Sequence, residues 1–476
     1  MSFTSIAFYI LFITCILVMM SLDKFSQSVS MQSKSIVLVI VSAIFCGWQD
    51  WRFAAIVISE AVFVYFISIQ IEKTEKKSWI ILGETVVLIC LGIFKYYGFF
   101  ADTFNFFGLS VKRIELILPI GISFYSFSAI GYMMDVYRKK YTAEKNFLYV
   151  LLYMIFFPKF TAGPIIAADS FFEQIKQNRR ITLASLSEGF QIIVFGLVKK
   201  NVLSDNIAVF VDAVYSNVEM YNAPTLVLAV LGYGMQIYLD FSGYSDLAIG
   251  CSKCLGYDMP KNFNLPYLSR NVTEFWKRWH ITLSEWLMRY LYISLGGNRK
   301  GYARTLINLV LTMAIGGLWH GAGWNFVLWG LLHGVALCIH KHYMKIKGIG
   351  KDYVPTKAGY VVGVICTFLY ANFCWIFFRI SDLNVIKRLL IRIVTWSDGV
   401  AFYSTWAIVV LLVVFFATMV AVVKNKSKQR EFYEIKGYYI IKDLAKFRNM
   451  VFLFTVIGLI LAMSYAYSNP FIYANF

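Results

Sequence analysis

FAAIVISEAVFVYFISIQI (Phe53–Ile71) holds one charged residue, Glu60, and three lysines follow it closely, at Lys73, Lys76 and Lys77. A bilayer core about 30 Å thick takes about 20 helical residues to cross, so this stretch reads as a membrane-spanning helix. Similar apolar runs recur near Ile6–Met20, Ile36–Cys46, Trp79–Phe99, Leu116–Met134, Phe147–Phe157, Gly189–Val198 and Thr225–Leu239. They continue near Leu306–Trp319, Phe326–Cys338, Tyr360–Phe378, Ala407–Val423 and Val451–Tyr465. Of the 476 residues 59% are hydrophobic, and the mean hydropathy is +0.63. The alternating segments of a β-barrel are missing from the pattern, so the expected fold is all-α and polytopic. No Pro/Ser linker, low-complexity tract or internal repeat divides the chain, and a single domain over residues 1–476 is the simplest expectation.

The formal charge is +18, from 45 Lys and Arg against 27 Asp and Glu. In a soluble chain that excess would suggest nucleic acid. Here the basic residues sit between apolar blocks, where they mark cytoplasmic loops beside anionic lipid, and no nucleic-acid partner is expected. The loops after Ile71, after Asp135 (Arg138, Lys139, Lys140) and across Lys424–Arg448 are placed in the cytoplasm. The N-terminus and the segment Ser468–Phe476 then fall outside the cell. Met1–Met20 has no basic leader and no clear cleavage site, and reads as a retained helix. Cys251 and Cys254 form a lone C-x-x-C without a second pair or nearby histidines, so no metal site is assigned. The location expected is a plasma membrane, crossed several times.

All five histidines lie between His280 and His342. His340 and His342 close an apolar run beside Lys345 and Lys347 and read as interfacial. His333 reads as a packed histidine bonded to a neighbour. His320 is different. It sits in Gly316-Gly317-Leu318-Trp319-His320-Gly321-Ala322-Gly323-Trp324. An ionisable group at membrane depth is costly and faces a cavity or the bundle interior. Glycines let backbones or a thin ligand come close, and two tryptophans supply a rigid wall. That suits a general base in a narrow tunnel; the alternative is a histidine satisfied by a backbone carbonyl. His280 ends Glu274-Phe275-Trp276-Lys277-Arg278-Trp279-His280, and on a helix it would share a face with Trp276. Asp240-Phe241-Ser242-Gly243-Tyr244-Ser245-Asp246 interrupts the run Thr225–Leu239 and reads as a structural polar network. From Phe157 to Gly297 the apolar runs are broken by Pro, Gly, Asn and Asp, which predicts short helices and loops packed into the body.

These blocks resemble the membrane-bound O-acyltransferases, in the bacterial branch typified by alginate O-acetyltransferase. The matching stretches are LPIGISFYSF…MMDVYR (Leu118–Arg138), FPKFTAGPI (Phe157–Ile165), QIYLDFSGYSDLAIG (Gln236–Gly250), NFNLPYLSRNVTEFWKRWH (Asn262–His280), LGGNR (Leu295–Arg299) and GGLWHGAGWNFVLWGLLHG (Gly316–Gly334). They keep the family's order and define a core of about 118–334. The resemblance implies a ring of helices around a thin central plate, with a tunnel through the membrane. It puts the family's invariant histidine on His320 and the second tunnel histidine on His280. Departures are Ala167 where the family often has Arg, Met288-Arg289-Tyr290 for Arg-Asp-Tyr, and Ser294 for Pro.

The function this implies is transfer of an acyl group, acetyl first, from a cytoplasmic thioester to a cell-surface or secreted polysaccharide. Acetyl-CoA is the expected donor substrate, and no bound cofactor is expected. Asn469-Pro470-Phe471-Ile472-Tyr473-Ala474-Asn475-Phe476 resembles a short aromatic motif of surface-acylation systems, whose tyrosine accepts the acyl group transiently. Tyr473 matches it, and an extracellular SGNH-type (esterase-like) partner would take the group onward. The alternative for the segment is an interfacial aromatic anchor. D-alanyl transfer to teichoic acid is the nearest other activity. A polysaccharide transporter or flippase would favour internal repeats and polar residues along several helices.

Overall fold

The structure is a computed structural model that describes residues 1–25, 27–350, 355–402, 409, 412–417, 441–463 and 471–472. Tyr473, most of the Lys424–Arg448 loop and most of the run Ala407–Val423 lie outside the described residues. Among the described residues the secondary structure is helical, with one isolated bridge between Tyr221 and Val400. Among these residues five helices are long and apolar enough to cross a membrane: Val29–Gly47, Trp51–Thr74, Lys77–Phe106, Ala223–Cys254 and Lys357–Arg379.

The way these helices bury their faces matches a lipid surround. On Lys357–Arg379 the exposed side chains include Val361, Val362, Ile365 and Leu369, which form one apolar stripe. Towards its C-terminal end the same helix buries Thr367 and Asn372 along with Phe368 and Trp375. In water an outward apolar stripe would be a liability; against acyl chains it costs nothing.

The chain divides into two compact units. The first comprises residues 1–195, 244–261 and 473–476. In it Ile6–Leu22, Gln27–Gly47 and the short helix Phe157–Phe160 share an aromatic core in which Phe8 and Phe45 lie 6.0 and 5.7 Å from Phe157, ring centre to ring centre. Side-chain caps begin its helices where the sequence offers them: Asp50 accepts from Arg52 N (2.9 Å) and Asn146 from Leu148 N (3.0 Å). The predicted helix at Leu116 starts later, at Ile122. Gly121 adopts φ +77°, and a Cβ there would sit 2.4 Å from the Phe160 carbonyl oxygen, so the chain turns before the helix can begin.

The second unit comprises residues 196–243 and 262–472 and contains every histidine. The 32-residue helix Ala223–Cys254 contributes to both units. It runs through the acidic, hydroxyl-rich stretch and past Leu239, where the apolar run ends. Asp240, Ser242, Ser245 and Asp246 are all buried within it. A helix satisfies its own backbone, so the polar side chains need only local partners to be tolerated.

Candidate active site

Two helices of the second unit, Tyr302–His320 and Trp324–Ile346, form a tight hairpin. Glycines permit the approach. A Cβ on Gly317 would lie 2.2 Å from the Phe326 carbonyl oxygen, and one on Gly330 would lie 2.2 Å from that of Met313. Small residues at such crossings let helix backbones touch, the usual packing device inside membranes. The turn between them is Gly321-Ala322-Gly323, where a side chain on Gly321 would collide with the Phe326 ring.

His320 is the last residue of the first helix of this hairpin and is 2% exposed. Rings surround it: Trp319 at 4.9 Å, Trp329 at 5.0 Å and Phe378 at 5.3 Å, centre to centre, all meeting it edge to face. Trp375 stacks behind Trp329 at 5.7 Å. The His280 ring lies 6.4 Å away. The structure thus brings His280 and His320 into one aromatic enclosure.

His280 does not share a helix face with Trp276. The helix Val272–Arg278 stops short of it, and His280 sits at φ +42°, ψ 57°, ahead of the helix Ile281–Trp286. A left-handed conformation is uncommon for a residue with a Cβ and is held only where surroundings over-determine it. Here Ile281 N donates to the Asn262 carbonyl (2.9 Å), and Ser284 N donates to the His280 carbonyl (3.0 Å). The same Asn262 fixes the ring. Its Oδ1 accepts from Thr282 N (3.3 Å) and Thr282 Oγ1 (2.8 Å), and faces His280 Nδ1 at 3.0 Å. A backbone N–H can only donate, so this Asn262 atom is the oxygen and His280 Nδ1 carries the proton. In the neutral ring Nε2 is then the basic nitrogen.

His333 packs as the sequence indicated. Trp276 Nε1 donates to its Nδ1 at 3.3 Å, and Phe275 stacks on it at 6.0 Å. Among the described residues Trp329 Nε1, buried beside His320, has no hydrogen-bond partner. His340 faces Thr273 Oγ1 at 2.8 Å, and His342 faces the Tyr302 hydroxyl at 3.1 Å. Among the described residues no group of three or more His, Cys, Asp or Glu side chains could hold a metal ion. Asp240 belongs to a buried ion cluster: Lys200 Nζ lies 2.7 Å from it and 2.8 Å from Asp205.

Sequence reasoning missed Asn262, Trp329 and Lys200. Asn262 opens the stretch that ends in His280, but its partnership needs a turn that spacing cannot reveal. Lys200 gave a signal, being a lysine directly after an apolar run.

The sequence model of the membrane-bound O-acyltransferase (MBOAT) family matches residues 143–381. That span contains Lys200, Asp240, Asn262, His280, His320 and Trp329. The chain belongs to the membrane-bound O-acyltransferase family. This MBOAT member is therefore an O-acyltransferase and a multi-pass membrane protein. It is 35% identical to the peptidoglycan O-acetyltransferase of Helicobacter pylori over 384 residues, covering 74% of this chain and 72% of the relative. It is 37% identical to the probable alginate O-acetylase AlgI of Pseudomonas putida over 377 residues, 77% of this chain and 76% of that one. The teichoic acid D-alanyltransferase of Streptococcus thermophilus is 32% identical over 260 residues, 52% of this chain and 62% of its own.

His280 is tied to Asn262 through Nδ1, while Trp319, Trp329 and Phe378 ring His320. His280→Ala is expected to lower turnover by about a hundredfold, the cost of a small misplacement of reacting groups. The acyl-transfer rate in membranes, set against His320→Ala, checks this. Equal and total loss in both variants, with folding retained, would overturn this expectation.

Proposed function

We propose that this MBOAT member transfers acetyl from cytoplasmic acetyl-CoA across the membrane for O-acetylation of a cell-surface polysaccharide. The transfer passes through a tunnel to Tyr473 and then to an extracellular SGNH-type partner. The observation that carries the reading is the pair of buried histidines, 6.4 Å apart, within one aromatic enclosure. The relatives support acetyl as the acyl group. The O-acetyltransferases match 74% and 77% of the chain, the D-alanyltransferase 52%.

In the first step the acceptor hydroxyl attacks the thioester carbonyl as His320 takes its proton. The tetrahedral oxyanion collapses, the C–S bond breaks, and the thiolate recovers the proton from His320. The products are the acyl ester and free CoA thiol. The surrounding rings keep water from competing as nucleophile. The Trp329 indole N–H, buried and without a hydrogen-bond partner among the described residues, is the donor we assign to the oxyanion. Trp329→Phe keeps an aromatic ring and removes that N–H; turnover should fall by about a hundredfold, as for loss of one oxyanion donor. Unchanged turnover in acetyl-transfer assays would take the indole out of the step.

Inside-out membrane vesicles given labelled acetyl-CoA on the former cytoplasmic face test the whole reading. Label should pass to protein and then to polysaccharide only when His320 is intact. Absence of His320-dependent labelling, or labelling from a D-alanyl carrier thioester instead, would sink it.

A further inference from the structure

Asp240 holds more than an ion pair. Its side chain is 1% exposed, and Lys200 Nζ lies 2.7 Å from Oδ1. The same ammonium lies 2.8 Å from Asp205, so one cation serves two carboxylates. Each carboxylate has about four lone-pair sites, more than this lysine fills. The other oxygen, Oδ2, accepts the backbone N–H of Ile472 at 3.0 Å, across 232 residues of sequence. A second contact seats the same segment. Phe471 is 8% exposed and its ring lies 5.8 Å from that of Phe241, while Phe241 in turn meets the His280 ring edge to face at 4.7 Å. The segment 471–472 is therefore held by a charge-assisted backbone bond and by a ring one layer from His280.

The geometry points to Asp240, oriented by Lys200, as a positioning residue that docks the segment 471–472 beside the His280 wall and so presents the residue that follows, Tyr473. Presentation of Tyr473 rests on the acyl-acceptor reading above; docking does not. A backbone N–H is recognised whatever the side chain, so the dock fixes where the main chain runs and leaves the next side chain to do chemistry. Lys200 holds the buried carboxylate in one orientation, with Oδ1 on the ammonium and Oδ2 turned to Ile472 N. The ring of Phe471 fixes the rotation of the segment about that bond.

The test uses the full-length protein in membranes, with p-azidophenylalanine in place of Phe471. Irradiation should join residue 471 to the peptide containing Asp240 and Phe241, mapped by mass spectrometry. Two variants separate the backbone from the side chain. Ile472→Pro removes the donated N–H and leaves the buried ion cluster untouched; Ile472→Ala removes side chain and keeps the N–H. The cross-link should fall at least about fivefold in Ile472→Pro and stay within about twofold of the parent in Ile472→Ala. Without the photoprobe, Ile472→Pro should lower kcat for acetyl transfer about tenfold relative to Ile472→Ala, with KM for acetyl-CoA unchanged. Equal cross-linking in the two variants, or a KM change that matches the kcat change, overturns the dock. If the cross-link behaves as expected while Tyr473→Phe acylates polymer at the wild-type rate, the acceptor reading falls and the dock stands.

Discussion

His320→Ala is expected to abolish acyl transfer while the protein remains inserted and folded. A general base contributes about 10²–10⁴-fold to a rate, so the loss should reach the background of a membrane assay. The enclosure argues that no other group can replace it. Trp319, Trp329 and Phe378 occupy three sides of the ring, and none of them can take a proton from an attacking hydroxyl. His280 is the nearest imidazole; its Nε2 is basic, but its ring centre is 6.4 Å away and Asn262 holds the ring in place through Nδ1. Folding should survive because the hairpin is held by its glycine contacts, not by the imidazole. The close approaches at Gly317 and Gly330 involve backbone atoms of Phe326 and Met313. His320→Gln, which keeps most of the side-chain volume, guards against collapse of the cavity. Both variants should melt in detergent near the parent temperature, and both should lack transfer of labelled acetyl. Wild-type transfer by either would remove His320 from the chemistry.

How far the site could be read from the sequence depends on whether its determinants are local. The hairpin Gly316–Gly334 was legible because glycine, tryptophan and histidine occur together in one short run, and because a histidine in apolar surroundings demands a reason. Most spans were legible from apolar length alone, as Trp51–Thr74 and Lys357–Arg379 illustrate. At Asp240 the polar network was legible, but not the length of the helix that carries it. A helix nearly all buried can carry carboxylates when a lysine from another element reaches them, and Lys200 is 40 positions earlier in sequence. His280 misled in the opposite sense: aromatic spacing promised a continuous helix, whereas a left-handed turn breaks it. That turn depends on Asn262, whose carbonyl and side chain both act on residues 280–282. Long-range polar pairing of this kind leaves no periodic trace. The same is true of the bond between Ile472 and Asp240.

Tyr473→Phe should reduce polymer acetylation at least about a hundredfold while leaving the protein's abundance and melting unchanged. The substitution keeps the ring and removes only the hydroxyl, so it separates an acyl acceptor from an aromatic anchor. An anchor works through the ring's preference for the interface, which phenylalanine retains in large part. An acceptor works through the phenol oxygen. With a pKa of about 10, a phenol is within reach of a histidine base once attack on the thioester has begun. The resulting aryl ester keeps more transfer potential than an alkyl ester, because phenolate is the better leaving group. A serine on an extracellular partner could then take the acyl group downhill, expelling the phenolate and restoring Tyr473 for another turnover. Thioester and polymer therefore need never meet in one site, which suits a donor confined to the cytoplasm and an acceptor too large to enter a membrane protein. Mass spectrometry of the parent protein, purified without its partner after exposure to acetyl-CoA, should find one alkali-labile acetyl group on the peptide containing Tyr473. The label should be absent from both Tyr473→Phe and His320→Ala. Polymer acetylation at the parent level in Tyr473→Phe would reduce the residue to an anchor and require the polysaccharide, or the partner itself, to collect the acyl group directly from the thioester.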